Sequence, residues 1–468
     1  MTHKATALLV LLLTPFATQA QQRATKPQAV WKVHPQWVKA HEDFLASDLL
    51  QGRGSATRDE GMAAIYVGSE FESYGLKPAP GINGFIQTIE VEKPELDGHA
   101  TVSADGLSAP LEEGPDFYIL WTPGETVSGP LKRIAGTHPE SASVEPGSAT
   151  LVVAAGAAAP TVGQVFSLSQ RSAKLLLLAE NPALKQSFQQ SFGGTTFVAV
   201  RPKGSSAEKT SAIVLTGGAD SRIAKLTDGT QITLTLKAQQ AARRFTYNTV
   251  GILPGISPTA GTLLITAHLD HLGIGKPVNG DAIYNGADDD ASGTTAVLEL
   301  AHALASGPRL QRSILFVCFG SEEQGDVGSS YFRDHPPVPL KDIAANIEFE
   351  MIGAQDPKMP KGSMMFTGWE RTNLGPALKR HGALIGPDIY PEQHFFQRSD
   401  NYALALKGVV AQTVGGWAMP PYYHQPNDDL QHLDIKFMTN AIQSMVEPLR
   451  WLANTSFKPA WKPGGQPK

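Results

Sequence analysis

The chain has 468 residues, of which 41% are hydrophobic and 18% charged. That composition excludes a disordered chain, and the length calls for two or three domains at about 100–200 residues each. Lysine and arginine total 39 against 44 acidic residues, a formal charge of −5 with no basic tract, so nucleic acid is not an expected partner.

The first segment, MTHKATALLVLLLTPFATQAQQ, sets Lys4 in a short polar start before an apolar stretch and small residues. This is the layout of a secretory signal peptide over residues 1–20, cleaved after Ala20. The stretch is short for a membrane span, and no cysteine follows it for lipid attachment. No later stretch approaches the roughly 20 apolar residues that a spanning helix needs. The expectation is a periplasmic or secreted protein with no stable membrane anchor once the signal is removed.

Residues 21–123 open with a helical pattern. HPQWVKAHEDFLASDLL brings Trp37, Val38, His41, Phe44, Leu45 and Leu49 near one face. Gln51 to Ser55 interrupt it, and a second helix, GMAAIYVGSEFESYGLKP, closes at Gly75. Short strands are expected at 84–92 and 116–121. Residues 124–240 change texture, with runs such as ATLVVAAG, AKLLLLAE, SAIVLTGG and QITLTLKAQ, the turn signal SVEPGSA, and almost no histidine or paired acids. They read as a small, β-rich inserted module without chemistry of its own.

Residues 241–458, ahead of a short tail at 459–468, form the main domain, where strands alternate with helices from Tyr247 onward. TVGILPG, GTLLITAH, SILFVCFG, AANIEFEMIG, SMMFTG and GVVAQTV read as strands. ASGTTAVLELAHALAS, NLGPALKRHGA and DIKFMTNAIQSMVEPLRWLA read as helices. The alternation predicts an α/β layered fold on a mainly parallel sheet, with ligands bound beyond the carboxyl ends of its strands. The single cysteine, Cys318, falls in ILFVCFG as an inert buried thiol; it excludes an intramolecular disulfide and a cysteine-rich zinc site.

The chemistry-bearing residues cluster at those strand ends. TAHLDHLG carries His268, Asp270 and His271 after one strand; NGADDDASG carries Asp288, Asp289 and Asp290 before a helix. FGSEEQG carries Glu322 and Glu323; NIEFEMIG carries Glu348 and Glu350; His424 follows in YYHQPNDD. Each segment alone has an ordinary reading, as a helix cap or a solvated surface. Together they would bring unpaired charges onto one sheet edge, where repulsion costs kcal/mol. A divalent cation removes that conflict, histidine with carboxylates suits zinc, and more than four ligands points to two ions sharing a carboxylate.

These segments, in this order and spacing, together with LASDLLQGRG and the YGLKP helix end, resemble the zinc-dependent M28 peptidases. The resemblance implies a three-layer α/β/α catalytic domain with a mixed, mainly parallel sheet. It also places 124–240 where some members carry a protease-associated insert. It implies two zinc ions, held by His268, the bridging Asp289, Glu323, Glu350 and His424, with a cis peptide after Asp289. Glu322 is then the general base and Asp270 the partner that orients His268 through its other ring nitrogen. Many members have aspartate where Glu350 stands, and Glu348, on the same face of the strand, competes for that place. Asp400 in RSDNYA falls near the substrate pocket, either supporting the site or capping the next helix; Tyr423 is a further substrate-binding candidate. The implied activity is hydrolysis of N-terminal peptide bonds in peptides or proteins. An M28-like carboxypeptidase or dipeptidase is the alternative, and a one-zinc relative of the glutaminyl cyclases is a more distant one.

Overall fold

A computed structural model describes residues 31–135, 143–153, 173–192, 196–204, 210–239 and 243–467, together with Met1, Val165 and Leu168. The signal-peptide reading of residues 1–20 lies outside these apart from Met1. Ten strands form the main sheet. Their order across it is 201–202, 86–92, 243–253, 313–319, 262–268, 343–350, 411–415, 364–366 and 385–387, with 77–78 paired on 243–253. The central strands 313–319, 262–268, 343–350 and 411–415 run parallel. The strands beyond them pair antiparallel, apart from 364–366 with 385–387. The sheet is mixed, as expected, and its parallel part is the part that carries the site.

Alternation along the central strands explains the layers. Leu263, Ile265 and Ala267, with Ile314, Phe316, Cys318, Ile347 and Phe349, face one core. Helices Pro35–Leu45, Arg58–Ser73, Gly293–Ala305 and Ile435–Asn454 cover that face. Leu264, Leu315, Val317 and Phe319 face the other side, against Phe332, Leu404 and Ala405. Three layers result. Among the described residues, no helix is long and apolar enough to cross a membrane.

The first helix buries part of the face its apolar pattern predicts. Val38, His41, Glu42 and Leu45 are buried, while Trp37, Phe44 and Leu49 are exposed. A polar cluster explains the choice. His41 Nδ1 meets the Tyr66 hydroxyl at 2.7 Å, and its Nε2 lies 3.4 Å from Glu299 Oε1. Tyr66 satisfies one ring nitrogen of His41, and Glu299 stands near the other beneath the helix.

A second sheet of nine strands forms the inserted module, with its own core. Its strands Thr101–Ala104, Leu111–Glu112 and Phe117–Thr122 come before residue 124, so the chain enters this sheet earlier than the change of texture indicates. Thr101–Ala104 pairs with Gln231–Thr235, more than a hundred residues later. Arg201–Pro202, inside the module's span, returns to the main sheet to pair with Ile86–Glu92.

Candidate active site

Parallel register brings the chemistry to one edge. His268 is level with Phe319, and Thr266 with Glu348, so the strands bearing His268, Glu322/Glu323 and Glu350 end together. At this edge Asp289 is 3% exposed and stands between two histidines. His268 Nε2 lies 3.2 Å from its Oδ1, and His424 Nε2 lies 3.2 Å from its Oδ2. Glu323 Oε1 lies 3.3 Å from His424 Nε2 and 2.9 Å from His271 Nδ1. Donor atoms of His271, Asp289 and Glu323 all fall within 4.8 Å of one another. The two imidazoles beside Asp289 hold its carboxyl well below the usual carboxylate range, against the opposing pull of burial.

The sequence placed His271 in the motif without a role. Its contact with Glu323 adds a third imidazole to the cluster, and the signal was its position one residue after Asp270. Glu350 belongs to the same electrostatic cluster. Burial raises its carboxyl to about 7, with His268 pulling down and Asp289 pushing up. Glu348, two residues earlier, is fully buried, and neither carboxylate oxygen has a hydrogen-bond partner. Burial and the nearby Asp400 and Glu350 push its pKa well up.

Each neighbour of Asp289 has a backbone to hold. Asp290 accepts from the amides of His268, Gly293 and Met351 at 3.0–3.2 Å. Asp288 accepts from Gly353 N at 2.8 Å and from the Tyr422 hydroxyl at 3.0 Å. Asp428, unassigned in the sequence, accepts from Asp288 N and Asp289 N at 2.8 and 3.0 Å. The Asp289–Asp290 peptide is cis.

Asp270 does more than face His268. Its carboxylate is 3.8 Å from His268 Nδ1, whereas its backbone oxygen is 3.1 Å away and is the contact that orients the ring. The carboxylate instead accepts from Glu322 N at 2.9 Å, Glu323 N at 3.3 Å and the Ser55 hydroxyl. It therefore fixes the turn that carries both glutamates. Glu322 is pushed well above the ordinary carboxylate range, first by burial, with His268 pulling down and Glu323 pushing up. Asp400 is fully buried at the start of the short helix Asn401–Ala405, but its side chain makes no capping bond there, so the capping alternative is not realised.

Arg53, which the sequence showed only as part of an interruption between helices, is a positioning residue. It is completely buried. Its guanidinium donates to the carbonyls of Leu45, Leu269, Asn285 and Gly286 at 2.6–2.8 Å. Leu269 lies between His268 and Asp270, and Gly286 just ahead of the three aspartates, so one side chain ties two site loops to the first helix. Arg53→Met would leave several buried carbonyls unpaired at about 1–3 kcal/mol each. The expected result is a loss of at least ~3 kcal/mol in urea unfolding, with Arg53→Lys recovering part of it.

Two cavities meet at Tyr423. A narrow one of about 50 Å³ is lined by Glu350, Met365, Phe395, Arg398 and Ser399. A broad groove of about 810 Å³ is lined by Val278, Trp417, Met419 and Pro421, with Gln189 from the inserted module.

The donor chemistry fits a metal. His268 Nε2, both ring nitrogens of His271, Glu323 Oε1 and Glu350 Oε2 are buried, and their close approaches to one another lack hydrogen-bond geometry. An ion satisfies such a set of nitrogens and carboxylate oxygens, which suits zinc.

The peptidase family M28 model matches residues 248–447. The probable lipoprotein aminopeptidase LpqL of Mycobacterium tuberculosis is 26% identical over 393 residues, 74% of this chain and 72% of its own. Aminopeptidase YwaD of Bacillus subtilis is 26% identical over 221 residues, 45% of this chain and 46% of its own. Among solved structures, an aminopeptidase from Aneurinibacillus sp. strain AM-1 superimposes with TM-score 0.56 at 17% identity, covering 92% of this chain and 97% of that one. The zinc aminopeptidase BSAP of Bacillus subtilis gives 0.51 at 18%, covering 91% and 96%. These two structural likenesses speak for the fold. The family match spans the segment that bears every metal-ligand candidate, so residues 248–447 are similar to the peptidases of family M28.

Proposed function

We propose that this chain is an exported zinc aminopeptidase whose two ions share Asp289. His268 and Glu350 would hold one ion, and Glu323 and His424 the other. The observation that carries this reading is the two-sided setting of Asp289, with a different histidine 3.2 Å from each oxygen. When bound, the ions supply positive charge that polarises a peptide carbonyl and acidifies water. Glu322 takes a proton from the attacking water at its carboxylate and passes it to the nitrogen of the leaving amine. Its raised affinity for protons suits both halves of that transfer. Asp270, holding the amides of Glu322 and Glu323, keeps base and ligand in fixed relation. His271 Nδ1, 2.9 Å from Glu323 Oε1, steadies that carboxylate. The narrow cavity beside Glu350 takes the first side chain of the substrate, and the groove past Tyr423 takes the residues after the cleaved bond. Export rests on the pattern of residues 1–20 and accords with the word lipoprotein in the name of the mycobacterial relative.

One observation favours a second reading. Arg398 lines the narrow cavity and could receive a C-terminal carboxylate, which would make the enzyme a carboxypeptidase or dipeptidase. Aminoacyl p-nitroanilides and N-blocked peptides with free C-termini separate the two. The expected result is turnover of the first set and none of the second; the reverse overturns the aminopeptidase reading. Metal analysis of active protein, freed of loosely bound ions, is expected to give two zinc ions per chain. Full activity with one ion would instead favour the cyclase-like arrangement.

A further inference from the structure

The narrow cavity is not an ordinary apolar slot. Arg398 contributes its guanidinium, stacked 5.1 Å from the Phe395 ring centroid. Among the described residues no carboxylate lies within ion-pair distance of it. Arg398 is therefore a cation in a cavity wall, oriented by an aromatic ring and not consumed by a structural ion pair. Ser399, 3% exposed, adds a hydroxyl on the same wall.

Size narrows the occupant. A water needs roughly 10–15 Å³ of such space. A cavity of about 50 Å³ thus admits about four heavy atoms. Three side chains of that size share nearly one shape: leucine, asparagine and aspartate. Chemistry divides them. An isobutyl group would strip water from the guanidinium and return nothing, whereas a carboxylate would accept two parallel hydrogen bonds from its fork.

Resting on the aminopeptidase reading, we propose that Arg398 makes this cavity selective for an N-terminal aspartyl residue over its isosteres. The test uses the zinc-loaded full chain with aspartyl, asparaginyl and leucyl p-nitroanilides. For the wild type, kcat/KM for aspartyl should exceed that for leucyl by about tenfold or more, with asparaginyl between them. In Arg398→Gln the aspartyl-to-leucyl ratio should fall by about 10- to 100-fold, and Arg398→Lys should recover part of it. A wild-type preference for leucyl, or a ratio unmoved in Arg398→Gln at equal zinc content, overturns the proposal and leaves the aminopeptidase reading standing. Cleavage of N-blocked peptides with free C-termini, and of none of the three anilides, overturns that reading itself. If Arg398→Gln fails to fold, the wild-type ratio alone decides.

Discussion

Glu322→Gln is expected to lower kcat by about 10²–10⁴-fold while the protein keeps its full zinc content. The amide has the size of the carboxylate and can still sit in the turn held by Asp270, but it cannot take a proton. The setting of Glu322 argues for this separation of roles. Its amide is fixed by Asp270 Oδ1 at 2.9 Å, and its carboxyl is raised well above the ordinary range, mainly by burial. Glu323, its neighbour, has the opposite environment: His424 and His271 outweigh burial and hold it down at about 2. Adjacent residues thus differ as an acid–base group differs from a ligand. Glu323→Gln should accordingly lose zinc, measured by metal analysis, where Glu322→Gln does not. Wild-type turnover in Glu322→Gln would assign the proton transfer to another group.

The site was legible in the sequence because charge follows apolar strand there in a fixed grammar. His268, Glu322, Glu323 and Glu350 each close or follow a run of buried residues, and parallel strands with matched register must bring such ends together. What was not legible depends on partners far away in the chain. Arg53 bonds to Gly286, 233 residues later, and nothing local to QGRGS announces it. The first helix was legible only in part for the same reason. Its apolar pattern offered Val38, His41 and Leu45, which are buried, together with Trp37 and Phe44, which are exposed; Glu299 and Tyr66 meet His41 from far along the chain. The start of the inserted module was hidden by length. Strands of two to six residues from Thr101 to Thr122 carry little periodicity, and their pairing to Gln231–Thr235 is set only in three dimensions. For Asp270, His-x-Asp spacing does not say whether the side chain or the carbonyl lies nearer the ring.

The same limit applies to Glu348 and Glu350, which share a strand face and cannot be separated by periodicity. Their surroundings separate them. The pairing Thr266 with Glu348, carried two residues on, sets Glu350 level with His268. Glu350 lies in the cavity wall beside Tyr423, while Glu348 is sealed beneath it with Asp400 as its main acidic neighbour. A sealed carboxyl among acids is held protonated, and a neutral amide of the same shape replaces it at little cost. Glu350→Ala should therefore lose one of two zinc ions and most activity. Glu348→Gln should keep both ions and turn over within about tenfold of wild type, well short of losing a positioned catalytic group. Metal analysis and kcat on the same preparations read both variants. Loss of an ion in Glu348→Gln, with both retained in Glu350→Ala, would move the ligand two residues back along the strand and set His268 against a carboxylate deeper in the sheet.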